Sequence, residues 1–312
     1  MTTTTTAPQS ANDGQMLELP APATRRSARR RPESFTVISY IGVSLFALIC
    51  IFPFWLIVSG SFTSEKVLSR TGYSLWPSPF SLDAYIAIFT GPRLGLAYFS
   101  TIFITAVGTF LAVMATSGIS WVIARGLPRI SRFLAVFSYI PMIFAGGLVP
   151  FYILVTQYLQ LRDSYFAVIL PLMVAPFLIF VQVSFFRGIP IELLESARLD
   201  GAGELRIFFR IVLPLSKPVI AVIALFYAVT YWNDWFMALL FISNTDMYPL
   251  QLVLQNLISS VSNAANLSNA PAAPVYQLRL AMTVVTVGPI LLAYPFAQRY
   301  FVKGLTLGAS KG

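Results

Sequence analysis

Histidine is absent from the 312 residues, and cysteine occurs once, as Cys50 inside an apolar run. Without histidine neither a Ser-His-Asp nor a Cys-His catalytic set can be built. A single thiol excludes disulfides and thiol redox pairs, and with no histidine it excludes the common zinc sites. Charge is scarce as well: 11% of the residues are Asp, Glu, Lys or Arg, where soluble domains carry about 25%. No Gly-x-x-x-x-Gly-Lys-Ser/Thr loop occurs, so the chain lacks a means of cradling nucleotide phosphates. These absences argue against an enzyme and against any cofactor or metal held by this chain.

What is abundant is apolar surface, at 57% of residues with a mean hydropathy of +0.75. Six apolar runs, at 35–60, 97–124, 133–159, 164–186, 217–243 and 279–302, are each long enough to cross about 30 Å of hydrocarbon as a helix. The expected fold class is therefore all-α, a polytopic membrane protein with six transmembrane helices spanning 35–302. Residues 1–34, a Thr run leading to the basic Arg25–Arg31 stretch, read as a disordered cytoplasmic tail, and 303–312 as a short second one. The run after the arginines is about twice a signal-peptide core and lacks a convincing cleavage site, so it reads as an uncleaved anchor.

The net charge of +9 could suggest nucleic acid, but the basic residues sit in short segments beside apolar runs with no aromatic-basic groove pattern. Membrane topology explains it better. With the N-terminus inside, sixteen of the 21 Lys and Arg face the cytoplasm; Lys66, Arg70, Arg93, Arg162 and Arg279 remain outside. That asymmetry satisfies the positive-inside rule and places both termini in the cytoplasm. The Arg162-Asp163 turn reads as a solvated boundary. In the external segment before the second run, Ser81 is a plausible N-cap for a helix with Leu82, Tyr85, Ile86 and Phe89 at helical spacing.

Residues 190–216 form the most charged island between apolar runs. Pro190 can open a short helix, Gly201 supplies a backbone free of side-chain penalty at positive φ, and a second helical turn or two should follow Gly203 and stop before Pro214. Taken alone, this is also what an ordinary cytoplasmic loop with two amphipathic turns looks like. However, Glu195-Ser196-Ala197, Asp200-Gly201-Ala202, Phe209, Ile211, Leu213-Pro214 and Pro218 resemble, in fixed spacing, the EAA signature of ABC importer permeases; Ser196 stands where that signature often has Ala. The resemblance implies a type I importer permease fold in the bacterial cytoplasmic membrane, with coupling helices seated in a cleft of a separate ATPase subunit. By that resemblance Glu195, Ala197, Asp200, Gly201, Ala202, Phe209, Leu213 and Pro214 belong to the coupling surface. It also implies ATP and Mg bound by the partner ATPase, a second homologous permease and an extracellular solute-binding protein.

Phe80-Ser81-Leu82-Asp83, Gly146-Gly147-Leu148-Val149-Pro150-Phe151-Tyr152, Tyr231-Trp232-Asn233-Asp234-Trp235 and the ending Tyr300–Ala309 are similar to the maltose-type branch that imports oligosaccharides and other complex carbohydrates. Ser100 departs from it, standing where that branch usually carries Asn. Asp234 is the only acidic residue within any run, and an intramembrane carboxylate is costly enough to mark a functional site. Trp232, Asn233, Asp234 and Trp235 could together hold a sugar, the indoles stacking on its apolar face and the polar groups taking hydroxyls. They could equally be an interfacial aromatic belt whose polar members bond neighbouring helices. Rival functions are a permease for a non-sugar solute and an ion-coupled carrier; one buried carboxylate is thin support for the latter.

Overall fold

The computed structural model describes residue 2 and residues 34–91, 93–266 and 276–291. Neither the expected tail 1–34, save Met-adjacent Thr2 and Ser34, nor the ending 303–312 lies within them. The chain divides into two units, 1–51 and 52–312. In the first, the described residues from Ser34 onward are helical and the described side chains exposed. They belong to α1 (Ser34–Ser61), a 28-residue helix.

The second unit is helical, and its only β feature among the described residues is the single bridge between Thr63 and Phe80. That bridge folds back the segment carrying α2 (Glu65–Thr71) and leading to α3 (Asp83–Thr90). The N-cap of α3 is Leu82 and not Ser81 as expected; Ser81 sits one residue earlier, where its hydroxyl accepts from the N–H of Asp83 at 3.2 Å. The inward residues of α3 are Ala84 and Ile88, whereas Leu82, Ile86 and Phe89 are exposed.

The organising element is α4 (Leu94–Ala124), which packs against α5 (Ile130–Ile143), α7 (Tyr165–Leu172), α8 (Pro176–Arg187) and α12 (Lys217–Asn233). Its buried face sets small or hydroxyl-bearing residues, Ser100, Thr101, Gly108, Ala112, Thr116, Ser117 and Ser120, among the larger apolar Ile104, Val113, Trp121 and Ile123. Small residues let helix backbones approach where hydrocarbon gives no hydrophobic drive, and hydroxyls bond across. A Cβ added at Gly108 would come within 2.8 Å of the Tyr231 ring on α12. Tyr231 in turn donates to the carbonyl of Ile169 on α7 at 2.8 Å, and Gln182 of α8 donates to Ser117 at 2.8 Å. Three helices are thus pinned to one face.

Prolines and glycines decide where the apolar runs break. Two helices, α1 over Thr36–Ser61 and α4, are long and apolar enough to cross a membrane singly. The run 164–186 is a bent pair, α7 and α8, turning by 51° at residues 173–175. Pro176 begins the second half, and the Tyr227 hydroxyl accepts from the freed N–H of Ala175 at 3.0 Å. The run 133–159 is not one helix: α5 ends at Ile143, Gly147 adopts φ +87°, and α6 (Leu148–Ile153) continues as a π-helical turn, Leu154–Tyr158. The run 217–243 splits at Asp234 into α12 and α13 (Phe236–Phe241). After a 3₁₀ turn, Thr245–Met247, come α14 (Leu250–Asn266) and α15, Tyr276–Leu291, which begins the last run. Among the described residues two of the six expected spans are unbroken helices and three are interrupted, while the last, 279–302, is described only as far as Leu291.

Candidate functional sites

The 190–216 island starts one residue later than the sequence suggests: Pro190 is the N-cap, with φ −55° and ψ 129°, and α9 runs Ile191–Leu199. Proline there fixes φ and has no N–H to leave unsatisfied. The helix ends in a Schellman motif. Gly201, at φ +78°, donates to the carbonyl of Arg198 at 3.0 Å, and Ala202 donates to that of Ala197 at 2.9 Å. No atom lies within 4 Å of where a Gly201 Cβ would be, so the conformation, not crowding, selects glycine.

The second half departs from expectation. Helix α10 (Glu204–Ile207) does not stop before Pro214; it widens into a π-helical turn, Phe208–Val212, and passes through Pro214 into α11 (Leu213–Leu215). A proline in an α-helix would clash with the carbonyl four residues back and leave it unbonded. A π turn displaces that carbonyl, so the helix continues. The rod then turns by 83° into α12 at Ser216, which is fully buried.

One face of this segment is anchored. Leu194, Ile207, Phe208 and Val212 bury against Trp121 of α4 and Phe186 of α8, with Ala197, Ala202 and Leu213 packed at the edge. The other face is open: Glu195, Asp200, Gly201, Phe209 and Pro214 are exposed, as are Leu199 at 89% and Leu205 at 75%. The signature residues therefore divide into three that pack inward and five that point outward.

An ion cluster that sequence reading missed ties the two halves to α4. Glu204 pairs with Arg125, the residue that ends α4, and with Arg198 of α9 at 3.2 Å. The Arg125 guanidinium lies 5.6 Å from the Trp121 ring centre. Burial, and secondarily the like charge of Arg198, push Arg125 below its usual pKa, and the Glu204 carboxylate offsets that cost. The only sequence signal was Trp121 and Arg125 one turn apart.

At the other site, the chain leaves the helix at Asp234, whose φ of −72° and ψ of 120° are extended. Trp232 donates from Nε1 to the carbonyl of Thr286 on α15 at 3.1 Å, and is partly buried there. Asn233 accepts from Gln251 of α14 at 3.1 Å and donates to the carbonyl of Val229 at 2.9 Å. Asp234 accepts from the N–H of Met237 through Oδ1 at 3.4 Å, while Oδ2 is buried with no hydrogen-bond partner among the described residues. Trp235 is exposed, edge-on to Phe236. Asp234 and Trp235 thus share the break, whereas Trp232 and Asn233 are committed to neighbouring helices.

Two further acidic residues do work that the sequence did not suggest. Asp163, at φ +57°, accepts from the N–H groups of Ser243 and of Asn244, the latter at 3.0 Å, while Arg162 reaches Ser243 Oγ at 3.2 Å. The Arg162-Asp163 turn is therefore a clamp on the end of the α13 connection rather than only a solvated boundary. Those two backbone bonds hold the Asp163 carboxyl below the usual carboxylate range. Glu65 accepts from the first two N–H groups of α15, at 3.1 and 2.8 Å.

Residues 108–307 match the family described as binding-protein-dependent transport system inner membrane component. The chain is 39% identical over 282 residues to Protein LplC of Bacillus subtilis (strain 168), covering 89% of this chain and 95% of that protein. Over 290 residues it is 39% identical to the polygalacturonan/rhamnogalacturonan transport system permease protein YtcP of the same organism, covering 89% and 98%. It is 34% identical over 279 residues to the arabinooligosaccharides transport system permease protein AraQ of Halalkalibacterium halodurans, covering 87% and 95%. A solved chain from a bacterial ABC transporter involved in the import of the acidic polysaccharide alginate superposes with a TM-score of 0.75 at 26% identity, covering 86% of this chain and 96% of that one. The matched stretch takes in both the Gly201 turn and the Asp234 break, and the chain belongs to the family of inner membrane components of binding-protein-dependent transport systems.

Proposed function

We propose that this chain is a permease subunit of an ATP-driven ABC importer whose cargo is a carbohydrate of oligosaccharide size. The observation that carries the reading is the Schellman-closed turn at Gly201. It leaves Glu195, Asp200, Leu199 and Leu205 open on a segment whose other face is anchored to α4 and α8. Leucines this exposed beside carboxylates suit a partner's cleft better than water. The printed names of the relatives at 34–39% identity, polygalacturonan/rhamnogalacturonan and arabinooligosaccharide permeases, support the cargo.

In this reading the chain crosses the bacterial cytoplasmic membrane six times, with both termini and the 190–216 segment in the cytoplasm. ATP and Mg sit in the partner ATPases, a homologous permease completes the pathway, and an external solute-binding protein delivers the sugar. Closure of the ATPases draws the α9–α10 segment with it. The displacement passes through the Glu204 ion pairs and the Trp121–Phe186 cluster into α4 and α8, and along α11 into α12. Asp234 and Trp235 lie on that last path. An unpartnered carboxylate oxygen beside an exposed indole suits a sugar, whose hydroxyls donate while its C–H face stacks.

Affinity purification from the native membrane tests the assignment. A nucleotide-binding ATPase and a second permease are the expected companions. Glu195→Ala should insert normally yet lower uptake by roughly tenfold or more, the scale of one interface anchor. Full uptake by that variant would sink the coupling role. Transport by the protein alone, without ATP and abolished by collapsing an ion gradient, would identify an ion-coupled carrier instead. A binding protein that ignores sugars in a titration would move the cargo to another solute class.

A further inference from the structure

Between α4 and α5 the loop and first turns border an open, shallow cavity of about 820 Å³ lined by Gly126, Leu127, Arg129, Arg132, Phe133 and Val136, among others. Its chemistry divides sharply. Arg129 and Arg132 are exposed, and among the described residues neither has an acidic partner. No Asp or Glu occurs anywhere in 126–143, and Glu204, which serves the adjacent Arg125, is already shared with Arg198.

The rest of α5 is inside out for a helix in water. Its small polar residues, Ser131 and Ser138, are buried, the first donating to the carbonyl of Val122 at 2.6 Å. Its apolar residues Ile130, Phe133, Phe137 and Ile140 lie on one exposed face. Such a face calls for hydrocarbon as its solvent. Two unneutralised guanidinium groups at the end of that face, beside an open cavity, are complementary to one kind of molecule: an amphiphile with an anionic head and acyl tails. The planar fork of arginine favours a phosphate oxygen pair over a point charge.

We propose that this cavity seats the phosphate headgroup of an anionic glycerophospholipid on Arg129 and Arg132, with its acyl chains along the Ile130–Phe133–Phe137 face of α5. The inference requires only that α5 lies in the membrane, and stands whatever solute is transported.

Native mass spectrometry of the full-length protein re-exposed to phosphatidylglycerol or phosphatidylcholine tests it. Phosphatidylglycerol should be retained preferentially, and Arg129→Gln with Arg132→Gln should weaken that retention roughly thirtyfold, the equivalent of about 1 kcal/mol per arginine. Lys66→Gln with Arg70→Gln, an equal change of charge on α2, should leave it unaltered. Unchanged retention in the first variant, or equal loss in both, overturns the site. So does displacement of the lipid by millimolar inorganic phosphate, which would mean that a free anion is the ligand. A photo-crosslinking residue at Phe133 in otherwise unaltered protein, used in native membranes, keeps the test independent of variant folding. An adduct with phospholipid is expected, and an adduct with protein would show a subunit interface instead.

Discussion

Gly201 and Asp163 illustrate how much a single backbone angle decides. Gly201 sits at φ +78° with open space around its missing Cβ. Replacing it with alanine should cost about 1 kcal/mol from the left-handed conformation alone. Asparagine, which tolerates that region, should cost less. Amide hydrogen exchange at Ala202, whose bond to Ala197 closes the motif, would rank the three: slowest for glycine, fastest for alanine. Equal exchange in all three would mean the turn is held by packing instead. For Asp163 the sign follows from the depressed carboxyl pKa. Its contribution is fully present above the unfolded value of about 4 and is lost as pH falls through the lower folded value. Protection of the Ser243 and Asn244 amides, measured against neighbours, should therefore hold at neutral pH and fail in that acid window. Asp163→Asn should show weaker protection with no such step.

Between elements, the connection that matters most is the one from α4 to the 190–216 segment. Arg125 keeps 18% of its side chain exposed and Glu204 keeps 50%, so the pair is neither a surface contact nor a buried one. Allowing for solvent screening, its coupling should be about 1 kcal/mol. A double-mutant cycle on Arg125→Gln and Glu204→Gln, read from the unfolding midpoint in detergent, would measure it, with the value shrinking at high salt. Additive single effects would mean the hydrophobic cluster around Trp121 carries the connection alone. The sequence disclosed half of this element and hid the other. Spacing and glycine made the α9 turn legible, because helix caps are local. The Arg125–Glu204 pair joins residues 79 positions apart, and nothing local marks such a partner. The same is true of Asp163 with Ser243, 80 positions apart. The π turn before Pro214 was also illegible, since proline in sequence argues for a stop unless the preceding turn can widen.

For the molecule as a whole, orientation is the property on which the transport reading turns. With Cys50 replaced by alanine, Ser243→Cys should react with a membrane-impermeant maleimide from outside intact cells. Ser196→Cys should react only after permeabilisation. Both positions are exposed, so a reversed pattern would overturn the assigned topology rather than report burial. Composition and hydropathy alone determined that this is a helical membrane protein. Scarce charge, absent histidine and long apolar runs leave few alternatives, and those quantities do not depend on how the helices pack. Charge asymmetry likewise set the expected orientation, because membrane insertion reads it segment by segment. Only the tertiary structure decided which face of α4 is central, where the apolar runs break, and which of Trp232, Asn233, Asp234 and Trp235 stay uncommitted. Those outcomes depend on partners distant in sequence: a tyrosine on α12 filling the space at Gly108, a Tyr227 hydroxyl meeting the N–H that the bend at Ala175 frees, a Thr286 carbonyl claiming the Trp232 indole. A buried polar group must find its partner wherever the fold brings one within reach, and that distance is not written along the chain.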